Sequence, residues 1–293
     1  MARARGCPVN TIAFVQARLG GGTRFGGAKI MLDLGGRTML QRVMERLAKA
    51  TLLSERVVVI PNAPEEDELA TYCEDNGWKY VRTQTKLLSS GAYDVLGAYA
   101  AAAIRYRANP IVRVTADCPL LDWRVIDAVI DLYQNGGQFD YVSNNLERTF
   151  PHGLDVECFS AKALKEADAN ARGEFDREHV TEYIRRHQDK PYRLANLRFP
   201  VESAEKPIHA AILVAARLTV DYPEDAALVR AIYAAFPEDH YITTADVVGL
   251  LAERPELMAI NEQRAADHVQ RLTGAFEPVS EAVVNAGKRV VLH

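Results

Sequence analysis

The sequence predicts an α/β fold in which a mostly parallel sheet is flanked by helices. Short runs rich in β-branched residues alternate with amphipathic helical stretches, which is the pattern of successive βαβ units. The chain has 293 residues, of which 48% are hydrophobic and 25% charged, so it can bury the core of one large domain with at most a small appendage. It contains no run of the roughly 18 apolar residues that a membrane span requires.

The alternation of strands and helices runs through the first half of the chain. Strands are predicted at residues 11–16, 56–61, 79–82, 110–115 and 139–143, and helices at 37–50, 64–76, 92–106 and 123–134. In the helix at 37–50, Met39, Leu40 and Val43 share one face and charged residues lie elsewhere. This distribution is typical of a helix that packs on a sheet.

After residue 143 the pattern changes. A polar stretch at 144–153 is followed by strands at 154–159, 194–199 and 217–220, and by helices at 161–171, 177–188, 223–236 and 243–252. We interpret residues 144–210 as a small α+β insertion that binds a second substrate and contributes to dimerisation. This insertion belongs to a nucleotidyltransferase domain at 1–250, and residues 251–293 are predicted to form a mostly helical extension.

The first predicted strand runs directly into a glycine-rich, cationic loop. Its glycines let backbone N–H groups approach an anion closely, and Arg18, Arg24 and Lys29 supply positive charge. A Walker loop would need Ser or Thr after the lysine, but Lys29 is followed by Ile30. In a dinucleotide fingerprint the loop would open directly into a helix, whereas here the predicted helix begins only at residue 37. Neither pattern therefore fits. The loop predicts a nucleoside triphosphate site; the alternative is a flexible loop whose cations are only solvated.

Two acids each follow a predicted strand, Asp117 and Asp221. In parallel α/β sheets the ligand lies beyond the carboxyl ends of the strands, so both side chains are expected in the same crevice as the loop. Magnesium typically takes one or two carboxylates together with phosphate oxygens. We therefore predict Mg²⁺ as cofactor, held by Asp117 and Asp221, and assign Asp122 and Asp225 to helix capping.

Six segments in the same order resemble the acylneuraminate cytidylyltransferase family, specifically its SpsF-like branch. They are the glycine-rich loop, TADCPL at 115–120, DYVSN at 140–144, RTFPHGLDVE at 148–157, REHVT at 177–181 and RLTVD at 217–221. The resemblance covers about residues 11 to 250. It implies a GT-A-like (Rossmann-like) fold with a mixed, mostly parallel sheet, transfer of CMP from CTP, magnesium dependence and a homodimer. The loop departs from the family pattern, because it is two residues longer and has Gly26-Gly27-Ala28 in place of the family's proline region.

The predicted nucleotide site combines the loop with the ends of the neighbouring strands. It comprises Gln16, Ala17, Arg18, Gly20, Gly21, Gly22, Lys29, Arg113, Thr115 and Asp117, and the residues predicted to be catalytic are Arg18, Arg24, Lys29 and Asp117. In nucleotidyl transfer an acceptor oxygen attacks the α-phosphorus in line and pyrophosphate leaves. Catalysis is then mostly positioning and charge neutralisation.

The acceptor site is predicted within the insertion. The candidate residues are Asn144, Arg148, His152, Asp155, Glu157, Arg177 and His179. Arg148 and Arg177 suit an anionic sugar or a phosphonate, and Asp155 and Glu157 alternate along a strand and so share a face. The alternative for the two acids is a salt-bridge network with the same arginines. For His179 the alternative is a structural hydrogen bond.

The net charge and the cysteine spacing argue against some classes of protein and indicate a cellular compartment. The net charge of -4 argues against a nucleic-acid binder, and the four cysteines lack metal-ligand spacing, which fits a reducing cytoplasm. We predict a cytoplasmic enzyme whose partners are CTP and a small anionic acceptor. We expect it to bind neither nucleic acid nor a membrane. The alternatives are a nucleotidyltransferase for another NTP, a GT-A-type glycosyltransferase and a catalytically idle nucleotide-binding protein. A GT-A-type glycosyltransferase usually has an Asp-x-Asp motif, which this chain lacks at a strand end.

Overall fold

The computed structural model describes residues 10–20, 25–84, 86–186, 192–199, 207–266 and 284–286. The strands in this part of the chain are β1 Ile12–Gln16, β2 Glu55–Pro61, β3 Lys79–Thr83, β4 Ile111–Thr115, β5 Tyr141–Ser143, β6 Glu157–Phe159, β7 Leu194–Leu197 and β8 Val284–Ala286. They form one sheet in the order β3-β2-β1-β4-β6-β5-β7-β8. The predicted α/β fold is confirmed.

The sheet is parallel except at β6, which runs antiparallel to both of its neighbours, β4 and β5. The central strand β1 is apolar and buried on both faces, as parallel strands covered by helices usually are. In its pairing with β4, Gln16 lies opposite Thr115. The carboxyl ends of β1 and β4 therefore meet at the same edge of the sheet, where the predicted nucleotide site lies.

Helices cover both faces of the sheet. They are α1 Met39–Leu47, α2 Asp67–Asp75, α3 Val95–Tyr106, α4 Trp123–Asn135, α5 Ala161–Asn170, α6 Glu174–His179, α7 Glu182–Arg186, α8 Pro207–Ala215, α9 Pro223–Ala234 and α10 Thr244–Glu253. Strand β2 contributes Val58 and Ile60 to one buried cluster and Val57 and Val59 to the other, because successive side chains of a strand point to opposite faces. None of the helices described is long and apolar enough to span a bilayer.

The two acids assigned to helix capping do cap helices. Asp122 precedes α4 and accepts a hydrogen bond from the Arg124 backbone N–H at 3.0 Å. Asp225 lies in the first turn of α9 and accepts from the backbone N–H of Tyr222 at 3.1 Å. Each carboxylate satisfies a backbone donor that a helix start would otherwise leave free, so the prediction is confirmed.

Three elements differ from the sequence prediction. The strand predicted at 217–220 is wrong, because this segment hydrogen-bonds to two separate neighbours, His152 and Asp117, and makes only an isolated bridge with the first. The single helix predicted at 177–188 is also wrong, since α6 and α7 are separated by Val180, whose φ of 63° breaks the helix. Helix α8 was not predicted.

The strands of the predicted insertion lie in the main sheet. Strand β6 pairs with β4 and β5, and β7 pairs with β5. Strand β8, from the segment predicted to be a mostly helical extension, pairs with β7. The strands described after residue 144 thus continue the sheet that contains β1 and β4.

Candidate functional site

An open cleft of about 600 Å³ lies at the carboxyl ends of β1 and β4. The described residues of the predicted nucleotide site all line it: Gln16, Ala17, Arg18, Gly20, Lys29, Arg113, Thr115 and Asp117. Gly21, Gly22 and Arg24, which were also predicted to bind or act on the nucleotide, lie outside the described residues. Nucleotide binding by this set stays a prediction, but its members share one cavity of a size typical of small-molecule sites.

Lys29 lies at the centre of the charged part of the cleft. Its Nζ is 3.1 Å from Asp117 Oδ2 and 3.0 Å from Asp221 Oδ1. Burial lowers the pKa of Lys29, but the two carboxylates outweigh this and hold the pKa above its ordinary value. The side chain is therefore a permanent cation at neutral pH, and the two predicted metal ligands point towards one place.

The irregular segment before Asp221 brings it beside Asp117. The Val220 backbone N–H and the Thr219 hydroxyl both donate to the Asp117 carbonyl oxygen, at 2.9 and 3.2 Å. Arg217 Nη2 then donates to Asp221 Oδ2 at 2.7 Å. The segment is not the predicted strand. Asp221 nevertheless lies close to Asp117, as expected, because these hydrogen bonds hold the segment beside it.

The pKa of Asp117 leads to a prediction about stability at acid pH. Burial raises this pKa, yet the Lys29 ammonium more than compensates and lowers it from 3.8 to about 2. A carboxyl whose pKa is depressed by folding stabilises the protein above its unfolded-state pKa, and this contribution is lost as pH falls through the folded-state value. We expect the free energy of unfolding of the native protein to exceed that of Asp117→Asn at pH 6, and the difference to disappear between about pH 4 and pH 2. Urea unfolding of both proteins at pH 6, 4 and 2.5 measures this; an equal difference at every pH would contradict it.

The carboxylate pair suits a magnesium–nucleotide complex better than a free metal ion. Within the residues that the structure describes, no cluster of three or more His, Cys, Asp or Glu side chains could hold a metal by itself. Asp117 and Asp221 supply two hard oxygen ligands, and magnesium in nucleotide sites takes its remaining ligands from phosphates and water. The donor set therefore fits Mg²⁺ once a triphosphate lies in the cleft.

Two residues at the loop were not singled out by the sequence. The fully buried Glu66 accepts hydrogen bonds from the backbone N–H groups of Leu19, at 2.6 Å, and Gly20, at 3.2 Å. Tyr93 lies 5.0 Å below the guanidinium of Arg18 in a cation–π contact. Glu66 thus fixes the start of the loop and occupies the Gly20 N–H, and Tyr93 orients Arg18 at the cleft wall. A single acid in a helical pattern and a single tyrosine carry no sequence signal for such roles.

Several predicted acceptor-binding residues contact other parts of the protein and do not line the cleft. The buried Asn144 donates to the Leu154 carbonyl at 2.8 Å and accepts from the Val156 N–H at 2.9 Å. Arg148 pairs with Asp155 at 2.7 Å. The Arg148–Asp155 pair is the salt bridge that the sequence offered as the alternative. The two hydrogen bonds of Asn144 join its buried side chain to the backbone of Leu154 and Val156.

Two more of the predicted acceptor-binding residues are also held by internal bonds. His152 Nδ1 lies 3.0 Å from Arg217 Nη1. Arg177 pairs with Asp94 at 2.6 Å and with Asp168 at 2.8 Å. Of the predicted acceptor residues, His179 lines the cleft. Acceptor binding by the whole set stays a prediction.

Glu157 lies behind the cleft wall, where it joins several elements. It is buried, accepts hydrogen bonds from the hydroxyls of Tyr141 at 2.7 Å and Thr181 at 2.5 Å, and pairs with Arg113. Burial raises the pKa of Glu157, but Arg113 and the other partners outweigh it and lower the pKa below its ordinary value. Glu157 is therefore a charged anchor for Arg113, a residue that lines the cleft.

Comparison with known proteins agrees with this geometry. The family model described as the MobA-like NTP transferase domain matches residues 20–189, more than half of the chain. The uncharacterized protein MJ1063 of Methanocaldococcus jannaschii is 30% identical over 250 residues, which cover 85% of this chain and 93% of the relative. The spore coat polysaccharide biosynthesis protein SpsF of Bacillus subtilis is 26% identical over 255 residues, covering 85% and 97%.

A solved structure shows the same similarity. A cytidylyltransferase from Leptospira borgpetersenii superposes with a TM-score of 0.72 at 26% identity, covering 86% of this chain and 97% of its own. The predicted relationship to cytidylyltransferases is supported, whereas membership of the acylneuraminate cytidylyltransferase family in particular stays a prediction. On the match of its sequence and the agreement of its fold, this chain belongs to the MobA-like NTP transferase domain family.

Proposed function

We propose that this protein is a cytidylyltransferase, which transfers CMP from CTP to an anionic sugar or phosphonate and releases pyrophosphate. The observation that carries the proposal is the position of Lys29 between Asp117 and Asp221 in a cleft at the strand ends. Two carboxylates can hold a magnesium ion, and a cation beside them can neutralise the oxygens of a triphosphate. The similarity to SpsF and to a Leptospira cytidylyltransferase supports the choice of CTP.

In this mechanism the chain positions and neutralises the reacting groups. When the triphosphate enters, the Lys29 ammonium moves from the carboxylates to the phosphate oxygens, where it offsets the charge that develops on the departing pyrophosphate. Arg18 lies on the same wall and supplies a second cation. Asp117 and Asp221 would hold Mg²⁺, which would draw electron density from the phosphate. An acceptor that is already an oxyanion would need no dedicated general base.

The remaining parts of the proposal concern the acceptor, the assembly and the location of the enzyme. Glu178 and His179, at the end of α6, line the cleft, and an acceptor bound there would contact them. A homodimer and a cytoplasmic location are expected from the family resemblance and from the cysteine pattern. A catalytically idle protein is disfavoured by the intact set of Lys29, Asp117 and Asp221 in one cleft.

Thermal unfolding with each nucleotide tests the choice of substrate. We expect CTP with Mg²⁺ to raise the melting temperature more than UTP, GTP or ATP, since a ligand that binds only the folded state stabilises it by mass action. At a hundred times its dissociation constant, a ligand contributes about 2.7 kcal/mol to the free energy of unfolding. Greater stabilisation by UTP, GTP or ATP would support a nucleotidyltransferase for another NTP, equal stabilisation by all four would contradict a preference for CTP, and stabilisation by none would contradict the proposal. Pyrophosphate release with candidate acceptors then identifies the second substrate.

A further inference from the structure

Asp221, one of the two proposed magnesium ligands, follows a segment that belongs to no strand of the described sheet. The segment at 217–220 makes an isolated bridge with His152 and hydrogen bonds with Asp117. In a regular strand, ladders of backbone hydrogen bonds would fix the chain, whereas here the backbone groups depend on individual partners. The position of the Asp221 carboxylate therefore depends on the side chains that hold this segment from the protein interior.

A buried ion pair holds Asp221 by both its backbone and its side chain. The Asp221 backbone N–H donates to Asp225 Oδ2 at 3.0 Å, and Asp221 Oδ2 accepts from Arg217 Nη2 at 2.7 Å. Arg217 is in turn bound to Asp225, with its Nε 3.0 Å from Oδ1. The side chain of Asp225 is fully buried and that of Arg217 is 4% exposed, so these bonds are made in the low-dielectric interior, where they are strong. Because Arg217 takes Oδ2, Oδ1 is the oxygen that contacts Lys29 in the cleft.

Asn261 joins the segment after α10 to this ion pair. Its Nδ2 donates to Asp225 Oδ1 at 2.8 Å and to the Arg217 carbonyl oxygen at 3.0 Å. One buried amide thus contacts the side chain of one partner and the backbone of the other. The two hydrogen bonds span 36 and 44 residues of sequence, so they tie the segment after α10 to the residues that hold Asp221.

The chain on either side of Asn261 packs against the same region. The 3₁₀ helix that precedes Asn261 contributes the buried Leu257 to the apolar cluster that contains Leu218. After Asn261, the guanidinium of Arg264 lies 4.2 Å from the centre of the Tyr222 ring. Packing of this kind restricts the backbone of Asn261 and so directs its amide at the ion pair.

We propose that Asn261 is a positioning residue for Asp221, so that the segment after α10 supports the proposed metal site although Asn261 does not line the cleft. This inference rests on the proposed function, in which Asp221 holds the magnesium of a metal–triphosphate complex. Metal ligands keep their orientation through the groups that bind them in turn, and removing such a group typically weakens metal binding by about 10–100-fold. Asn261 acts one contact further away, through Arg217 and Asp225, so we expect an effect near the lower limit.

Calorimetric titration with CTP, in excess Mg²⁺ and in EDTA, tests the role of Asn261. The dissociation constant in EDTA divided by that in Mg²⁺ measures how much the metal contributes to nucleotide binding, and no acceptor is needed. We expect Asn261→Leu, which lacks the amide donor, to reduce this ratio by about tenfold and to retain the dissociation constant measured in EDTA. A residue that only stabilised the fold would lower the melting temperature and the fraction of competent protein, but it would leave the ratio unchanged.

Asn196→Leu is the matched control for this variant. Asn196 is also a buried asparagine, and its amide bonds with the backbone of Leu146 and Glu147 at 2.9–3.3 Å. Its replacement should lower the melting temperature without changing the ratio. If Asn261→Leu does not fold, Asn261→Ser is used, since its shorter side chain withdraws the donor from Asp225 and should still reduce the ratio. An unchanged ratio in a folded Asn261 variant would overturn the proposal.

A double-mutant cycle without nucleotide separates this inference from the proposed function. The shift in the urea midpoint caused by Asn261→Leu is measured in the native protein and in Asp221→Ala. We expect a smaller shift in Asp221→Ala, because the carboxylate that Arg217 holds is already missing, whereas Asn196→Leu should shift both midpoints equally. Equal shifts for Asn261→Leu would contradict the coupling. If CTP does not bind the native protein, the proposed function fails, and if it binds equally with and without Mg²⁺, the proposed magnesium site fails; in either case the cycle still decides whether Asn261 positions Asp221.

Discussion

Replacing Lys29 by methionine should lower the turnover number for pyrophosphate release by about 10²–10³-fold, the loss seen when one preorganised donor to a developing charge is removed. Methionine retains the length of the side chain but not its charge, so the triphosphate would lose the cation that lies 3.0–3.1 Å from the two carboxylates. Steady-state kinetics of pyrophosphate release measure the effect.

The control for this variant is Lys79→Met. Lys79 also pairs with an acid, Glu55, but it lies on β3 at the far edge of the sheet and is mostly exposed. Its replacement should leave the turnover number unchanged. If Lys29→Met retained turnover within about threefold of the native value, Lys29 would not be the phosphate-neutralising residue, and the proposed mechanism would be wrong.

The substitution Gly153→Ala should destabilise the fold by at least about 3 kcal/mol, because it combines backbone strain with a steric clash. Gly153 has φ +107°, and an added Cβ would lie 2.5 Å from the Leu218 carbonyl carbon and closer still to the Thr219 nitrogen. The segment at 217–220 would have to move, and with it Asp221. Urea unfolding should show a lower midpoint, and the remaining folded protein should bind CTP more weakly.

Gly249→Ala is the matched control for Gly153→Ala. Gly249 lies within α10, and a Cβ added there would meet no atom within 4 Å beyond its chain neighbours and the nearby backbone of its own helix. Alanine favours a helix over glycine by up to about 1 kcal/mol, so this variant should be as stable as the native protein or more so. Equal midpoints for the Gly153 and Gly249 variants would contradict the close approach of the two backbone segments.

Local signals in the sequence were sufficient to predict the strands and helices of the parallel half of the sheet. The apolar run of β1, the amphipathic face of α1 and the acid after β4 each reflect only neighbours in sequence. Their positions in the sheet followed from general rules of α/β folds. The cleft-lining positions of Lys29 and Asp117 agree with the expectations drawn from these signals.

Features created by distant contacts could not be predicted from these patterns. Val180 interrupts what is otherwise a helical pattern, because its burial and the Thr181–Glu157 hydrogen bond impose a backbone conformation that valine does not favour. Arg148 and Arg177 have the right charge for an acceptor, but their partners, Asp155 and Asp94, are identified only once the chain is folded. The prediction of the site was limited mainly because the sequence does not show which side chains pair with one another, and less because helices and strands were misplaced.

The ion pairs of Lys29 join parts of the chain that are 88 and 192 residues apart. During synthesis the loop and Asp117 emerge long before Asp221, so a nascent chain that ends within the first two hundred residues lacks one of the carboxylates of the site. Under the proposed function, the ribosome-bound chain would therefore lack one of the two proposed magnesium ligands until Asp221 has emerged. A nascent chain that stops before Asp221 would then be expected to hold a metal-bound triphosphate less tightly than a chain that contains both carboxylates.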